Sequence, residues 1–114
     1  MEFSYVVEDY EYFKLIKLSG NLSVISAEEF ERAVNKITAT HSVIIDCANM
    51  EILTSAGVDS FVNVSLNARD TGHRVMILHL DPDYYHLIET LNILDYLIIV
   101  ETLDEGRVKI EYYT

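Results

Sequence analysis

The chain has 114 residues, room for one compact domain over 1–114 that buries roughly two-thirds of its unfolded surface without disulfides or metal. Half of the residues are hydrophobic (50%) and 24% are charged, a globular and not a disordered composition. A net charge of −11 repels nucleic acid and anionic lipid, so neither is expected as a partner and a cationic protein surface is the more natural one.

Phe3, Tyr5 and Val7 alternate with Glu2, Ser4 and Glu8, the pattern of a half-buried strand. Residues 8–11 turn the chain into a second strand over about 12–19, which Gly20 ends. Ser26-Ala27-Glu28-Glu29 reads as a capping box, with the Ser26 hydroxyl on the Glu29 amide and the carboxylate returning the bond. Phe30, Ala33, Val34 and Ile37 then recur at helical spacing and predict a helix to about Thr38. Residues 42–47 form a short apolar strand of the kind buried on both faces. Val58, Phe61, Val62 and Leu66 predict a second helix, closed by Gly72.

Residues 74–80 predict another buried strand. Asp81-Pro82 is an N-cap followed by proline at the first helical position, and Tyr84, Leu87, Ile88 and Leu91 give that third helix its apolar stripe. Residues 97–100 predict the last strand. Thr102-Leu103-Asp104-Glu105 is a further capping box opening a short terminal helix, which Gly106 weakens. Strands alternating with helices after an initial hairpin imply an α/β sandwich: a mostly parallel sheet with an N-terminal hairpin strand and three or four helices packed on it.

Enzyme signatures are missing. The chain has no Gly-x-Gly-x-x-Gly, Walker-type loop, Gly-x-Ser-x-Gly elbow or His-Glu-x-x-His. His41, His73, His79 and His86 share no metal-ligand spacing, and His79 falls in a buried-looking strand. Asp81 and Asp83 fit helix capping better than paired acid–base chemistry. Cys47 is one cysteine and cannot close an internal disulfide. It reads as an inert core thiol. No metal or cofactor is expected. The opening residues lack a basic and apolar leader, and no apolar run approaches the ~18 residues of a membrane helix, so a cytoplasmic protein without membrane insertion is expected. Eight tyrosines, among them Tyr5, Tyr10, Tyr12, Tyr112 and Tyr113, read as boundary residues, with a contact surface as the alternative.

Leu53-Thr54-Ser55-Ala56-Gly57-Val58 joins a strand to a helix. A serine there lies beside unsatisfied backbone amides and the positive end of the helix dipole, which would hold a phosphate of about −1.5 to −2 charges. Gly57 keeps the turn free of bulk, open to another protein's backbone. Plain N-capping by Thr54 or Ser55 explains the same six residues.

With its surroundings, this segment resembles the STAS domain, the family of anti-sigma-factor antagonists. Gly20-Asn21-Leu22 before the first helix is similar to that family's Gly-x-Leu entry into its helix. Val43 to Cys47 followed by Ile52 to Val58 resembles its signature strand, loop and helix start. Residues 72–78 and 87–93 resemble its next strand and helix. The resemblance implies a non-enzymatic regulator that binds an anti-sigma factor, commonly a serine kinase. It implies phosphorylation of a serine aligned with Ser55, with Thr54 as runner-up, and a serine phosphatase that restores binding. Asn21, Leu22, Ser23, Thr54, Ala56 and Gly57 would meet the partner, while Asp46 and Asn49 would position the loop from the strand side. Two positions depart from the family's common pattern: Thr54 and Ser23 stand where many members carry an acid. The rivals are a constitutive STAS-type subunit of a transporter or stress-signalling complex, never phosphorylated, and a nucleotide-binding enzyme, which the charge and the missing phosphate loop oppose.

Overall fold

A computed structural model describes residues 2–113. The elements run β1 (Ser4–Asp9), β2 (Phe13–Leu22), α1 (Val24–Thr38), β3 (Ser42–Leu53), α2 (Ser55–Asp70), β4 (Val75–Leu78), α3 (Pro82–Thr90), a 3-10 turn (Leu94–Tyr96), β5 (Ile98–Val100) and α4 (Leu103–Tyr113). They form one five-stranded sheet in the order β1-β2-β3-β4-β5. The sheet is mixed: β1 is antiparallel to β2, and the other neighbours are parallel.

Successive parallel strands that are also spatial neighbours need crossovers of one hand, which place their helices on one face. Phe30 and Val34 of α1, Phe61 and Val64 of α2 and Ile88 of α3 accordingly share one buried cluster with Ile16, Ile45 and Ile77 of the sheet. Helix α4 covers the other face, where Ile110 packs with Phe13, Ile44, Met76 and Val100. Both faces of β3 and β4 are therefore buried, which is why those strands read as continuous apolar runs.

Several boundaries differ from the sequence expectation. Strand β2 does not stop at Gly20. That glycine takes φ +84° at an irregularity in the β2–β3 register, a conformation open to a residue without Cβ, and the strand continues to Leu22. Strand β3 runs beside it past Cys47 to Leu53, so the exposed Ala48, Asn49 and Glu51 belong to a strand. Helix α1 starts at Val24 with Ser23 as its cap. The Ser26 hydroxyl accepts the Ser23 amide at 3.0 Å and donates to the Asn21 carbonyl at 2.8 Å, so the expected Ser26–Glu29 box does not form.

Strand β4 ends at Leu78 because His79 turns left-handed at φ +58°. His79 is exposed, not buried as its strand reading required. In α3 only Ile88 of the apolar stripe is buried, with Leu87 and Leu91 exposed. The expected caps do form at Asp81, which accepts the Asp83 amide at 2.8 Å, and at Thr102, which accepts the Glu105 amide at 3.0 Å. The terminal helix is eleven residues long. Gly106 supports it: a Cβ there would lie 2.8 Å from Ile44 Cδ1, so its absence lets α4 close onto the sheet.

Candidate partner-binding site

Strands β2 and β3 end side by side, with Leu22 opposite Leu53, and each passes directly into a helix. The Leu22 carbonyl accepts the Thr54 amide at 3.1 Å and the Thr54 hydroxyl at 3.4 Å. The Thr54 hydroxyl in turn accepts the Gly57 amide at 3.4 Å and caps α2. Ser23 and Thr54 are thus the N-caps of adjacent helices. Neither helix carries an acid in its first turn. The two positive dipole ends therefore have no acid of their own first turns beside them, although Glu2 and Glu29 line the recess at the α1 start.

Ser55 is the first residue of α2, and it is exposed. Its hydroxyl makes no hydrogen bond among the described residues, in contrast to the doubly engaged Thr54. Gly57 is buried, and its empty side-chain position is filled from within. A Cβ there would sit 2.5 Å from the Leu22 carbonyl and 2.7 Å from Leu53 Cδ1. The close backbone approach is the chain's own, not an opening offered to another protein.

Asn21 to Ser23 and Thr54 to Gly57 are brought together, as the family resemblance implies. Asp46 and Asn49 are not part of this group. Asp46 lies eight residues before Thr54 along the chain, roughly 25 Å at strand rise. Its carboxylate accepts the Ala48 amide and meets His79 Nδ1, each at 3.0 Å. Asn49 is exposed and pairs with Ser19. Neither contact reaches the helix start.

The sequence reading missed three apolar side chains on this surface. Val24 and Ile25, in the first turn of α1, are 76% and 91% exposed, and Ile52, opposite Asn21, is 48% exposed. Val24 and Ile25 fall off the Phe30–Val34 stripe of their helix, which was the available signal. Placing the cap at Ser26 left them outside the helix. Asn21 adds a buried Oδ1 with no hydrogen-bond partner, beside a recess of about 260 Å³ that Ser23, Ile25 and Ser26 also line.

A cleft of about 760 Å³ lies at the β5 side among His79, Tyr85, Leu97, Glu101 and Lys109, and Ser55 does not line it. Cys47 is buried, and burial pushes its thiol pKa far up, with the Asp46 charge adding to the shift. Among the described residues no three His, Cys, Asp or Glu side chains converge as a metal site. No described helix is long and apolar enough to cross a membrane.

A mixed five-stranded sheet with three helices on one face and one on the other, and exposed apolar side chains at the start of α1, defines an α/β sandwich domain. The STAS domain profile matches residues 4–106, and the chain belongs to that family. No curated protein matches it by sequence. Its fold is similar to an anti-sigma factor antagonist from Mycobacterium paratuberculosis, at 18% identity and TM-score 0.82 over 96% of this chain and 95% of that one. It is also similar to the Bacillus cell fate determinant SpoIIAA in its phosphorylated form, at 14% identity and TM-score 0.69 over 94% and 99% of the two chains. The murine anion transporter Slc26a9 holds the same fold within 18% of its length, at 12% identity and TM-score 0.77 over 92% of this chain.

Proposed function

We propose that this STAS domain is an anti-sigma-factor antagonist without catalysis of its own, acting in the cytoplasm. It binds a serine-kinase anti-sigma factor over the paired starts of α1 and α2, and phosphorylation of Ser55 releases that partner until a serine phosphatase restores binding. The observation that carries the reading is the state of two adjacent hydroxyls. Thr54 is committed to the Leu22 carbonyl and the Gly57 amide, while Ser55 is exposed and free of hydrogen bonds at a helix start with no acid in its first turn. The similar fold of SpoIIAA in a phosphorylated form and of an anti-sigma factor antagonist supports the same assignment.

The physical switch is desolvation. Unmodified, Val24, Ile25 and Ile52 offer apolar area to a docked protein around a small neutral hydroxyl. A phosphate on Ser55 gains the α2 dipole and first-turn amides within this chain, so the fold tolerates it. Covered by a partner, the dianion loses water without a matching cation. Leaving one member of a buried charged pair unmatched costs about 2–5 kcal/mol, enough to reverse partner choice.

The test is phosphopeptide mass spectrometry of the protein from its native cells, directed at residues 51–69, followed by binding of the co-purified partner to Ser55→Ala and Ser55→Asp chains. Phosphate on Ser55, retained binding by Ser55→Ala and a loss of well over tenfold for Ser55→Asp are expected. Phosphate on Thr54 moves the site by one residue. Equal binding by both variants, with no phosphate under growth or stress conditions, replaces the switch with a constitutive docking module.

A further inference from the structure

We infer that the outer edge of β1 is a contact surface for a second copy of this chain, which pairs antiparallel with it, β1 against β1, about a two-fold axis at Val6. Strand β1 is the edge of the sheet and pairs only with β2, so one side of its backbone has donors and acceptors facing outward. Exposed edges of this kind are usually blunted by proline, a bulge, short length or unpaired charge. This one has six residues, no proline and an unbroken register from Ser4↔Ser19 to Asp9↔Lys14. It is also apolar on both faces. Tyr5, Val6 and Val7 are 36%, 61% and 39% exposed.

The charges on β1 are neutralised from within the sheet. Glu8 meets Lys17 at 3.0 Å and Asp9 meets Lys14 at 3.3 Å. The chain has only eight lysines and arginines against nineteen acids, and two of the eight are placed on β2 to cancel the acids of the edge strand. In a molecule of net charge −11, this leaves a locally neutral strip where two copies can approach.

The sequence of β1 also selects a register. A two-fold axis normal to the sheet keeps each face on its own side, so opposing residues must share a face and the pairing slides in steps of two. Centred on Val6, it sets Tyr5 opposite Val7, an aromatic against a β-branched side chain, and Ser4 opposite Glu8, with Val6 meeting its own copy. Centred on Tyr5, it sets Glu2 against Glu8. Centred on Val7, it sets Glu8 against Val6 and Asp9 against Tyr5. Centred on Glu8, it opposes two carboxylates. Among the registers centred on residues 5 to 8, the Val6 one alone pairs apolar with apolar and avoids like charges; it also sets Phe3 opposite Asp9.

The test is sedimentation velocity of the full chain from about 10 μM to 1 mM, spanning the weak end of specific association, at low and high salt. A monomer–dimer equilibrium is expected that tightens with salt, because screening relieves the repulsion between two chains of −11. Val6→Lys puts an ammonium opposite its own copy and should weaken the dimer at least tenfold, with circular dichroism reporting the fold. Val6→Cys is the second variant. Paired strands hold opposing Cα atoms about 4.5–5.5 Å apart, within disulfide reach, so the introduced thiol should cross-link into a covalent dimer on mild oxidation. Ile52→Cys, exposed away from this edge, should form no covalent dimer on the same oxidation. A monomer at every concentration and salt overturns the proposal. So does a dimer that Val6→Cys fails to cross-link.

Discussion

The carbonyl oxygen of Leu22 accepts the backbone amide of Thr54 at 3.1 Å. These residues are 32 apart in the chain, and their bond closes the parallel β2–β3 ladder where each strand gives way to a helix. It ties the residue before α2 to the end of β2, from which α1 starts two residues later. The same carbonyl also takes the Thr54 hydroxyl, which leaves Ser55 as the uncommitted hydroxyl. One contact thus joins the two strand ends and engages the Thr54 hydroxyl.

Gly57→Ala tests that contact from the side. Alanine favours a helix interior by about 0.8–1.0 kcal/mol over glycine. Its Cβ would lie 2.5 Å from the Leu22 carbonyl, however, and backbone atoms have no rotamer by which to move aside. Overpacking of this kind costs about 1–3 kcal/mol. Urea unfolding should show a net loss of stability, and partner binding should fall with it as the two helix starts separate.

Thr54→Ala and Ser55→Ala should separate structure from regulation. Removing the Thr54 hydroxyl deletes the α2 cap and leaves the Gly57 amide without that acceptor, a loss of about 1 kcal/mol. Ser55 makes no side-chain hydrogen bond among the described residues, so its replacement should change stability by no more than about 0.5 kcal/mol. Urea midpoints measure both. In the proposed switch the ranking inverts for phosphate uptake, which Ser55→Ala abolishes and Thr54→Ala retains.

Ile25→Ser probes the apolar knob. With 91% of its surface exposed, Ile25 contributes little packing, and stability should shift by at most about 0.5 kcal/mol. A docked partner would bury that side chain, worth about 1.5–3 kcal/mol. Titration calorimetry with the partner should therefore show at least a tenfold weaker complex and an unchanged melting temperature.

Much of this architecture was legible in sequence wherever local chemistry and long-range packing agree. Asp81-Pro82 marks a helix start by itself, and the apolar runs at 43–45 and 75–78 mark strands covered on both faces. The failures share a cause: a partner distant in the chain decided them. Gly20 is a strand terminator locally, yet β3 alongside lets β2 continue through a positive φ. Residues 48–51 lack an apolar signature because that stretch of β3 is largely exposed. Ser26 has the local pattern of a cap, but Ser23 occupies the boundary because β2 reaches Leu22. Asp46 looked like a support for the loop only while β3 was thought to end at Cys47. With the strand running on to Leu53, its carboxylate serves Ala48 and His79 instead.

Cys47 supplies a test of the core beneath the site. Burial, reinforced by the Asp46 charge, holds its thiol pKa far above the ordinary value, while in the unfolded chain it titrates near about 8.5. The folded state therefore keeps a proton that the unfolded state releases as pH rises. By linkage, the thiol leaves stability unchanged at neutral pH and lowers it progressively above the unfolded pKa, with a slope approaching about 1.4 kcal/mol per pH unit. Urea unfolding between about pH 8 and 9.5, below most tyrosine titration, should show this decline in the wild type and a flatter profile in Cys47→Ala. The native thiol should also resist alkylation across that range and react only at the rate of unfolding, since the thiolate is the nucleophile. A thiol that alkylates rapidly in the folded chain would place Cys47 at the surface and contradict the packing of β3 between its neighbours.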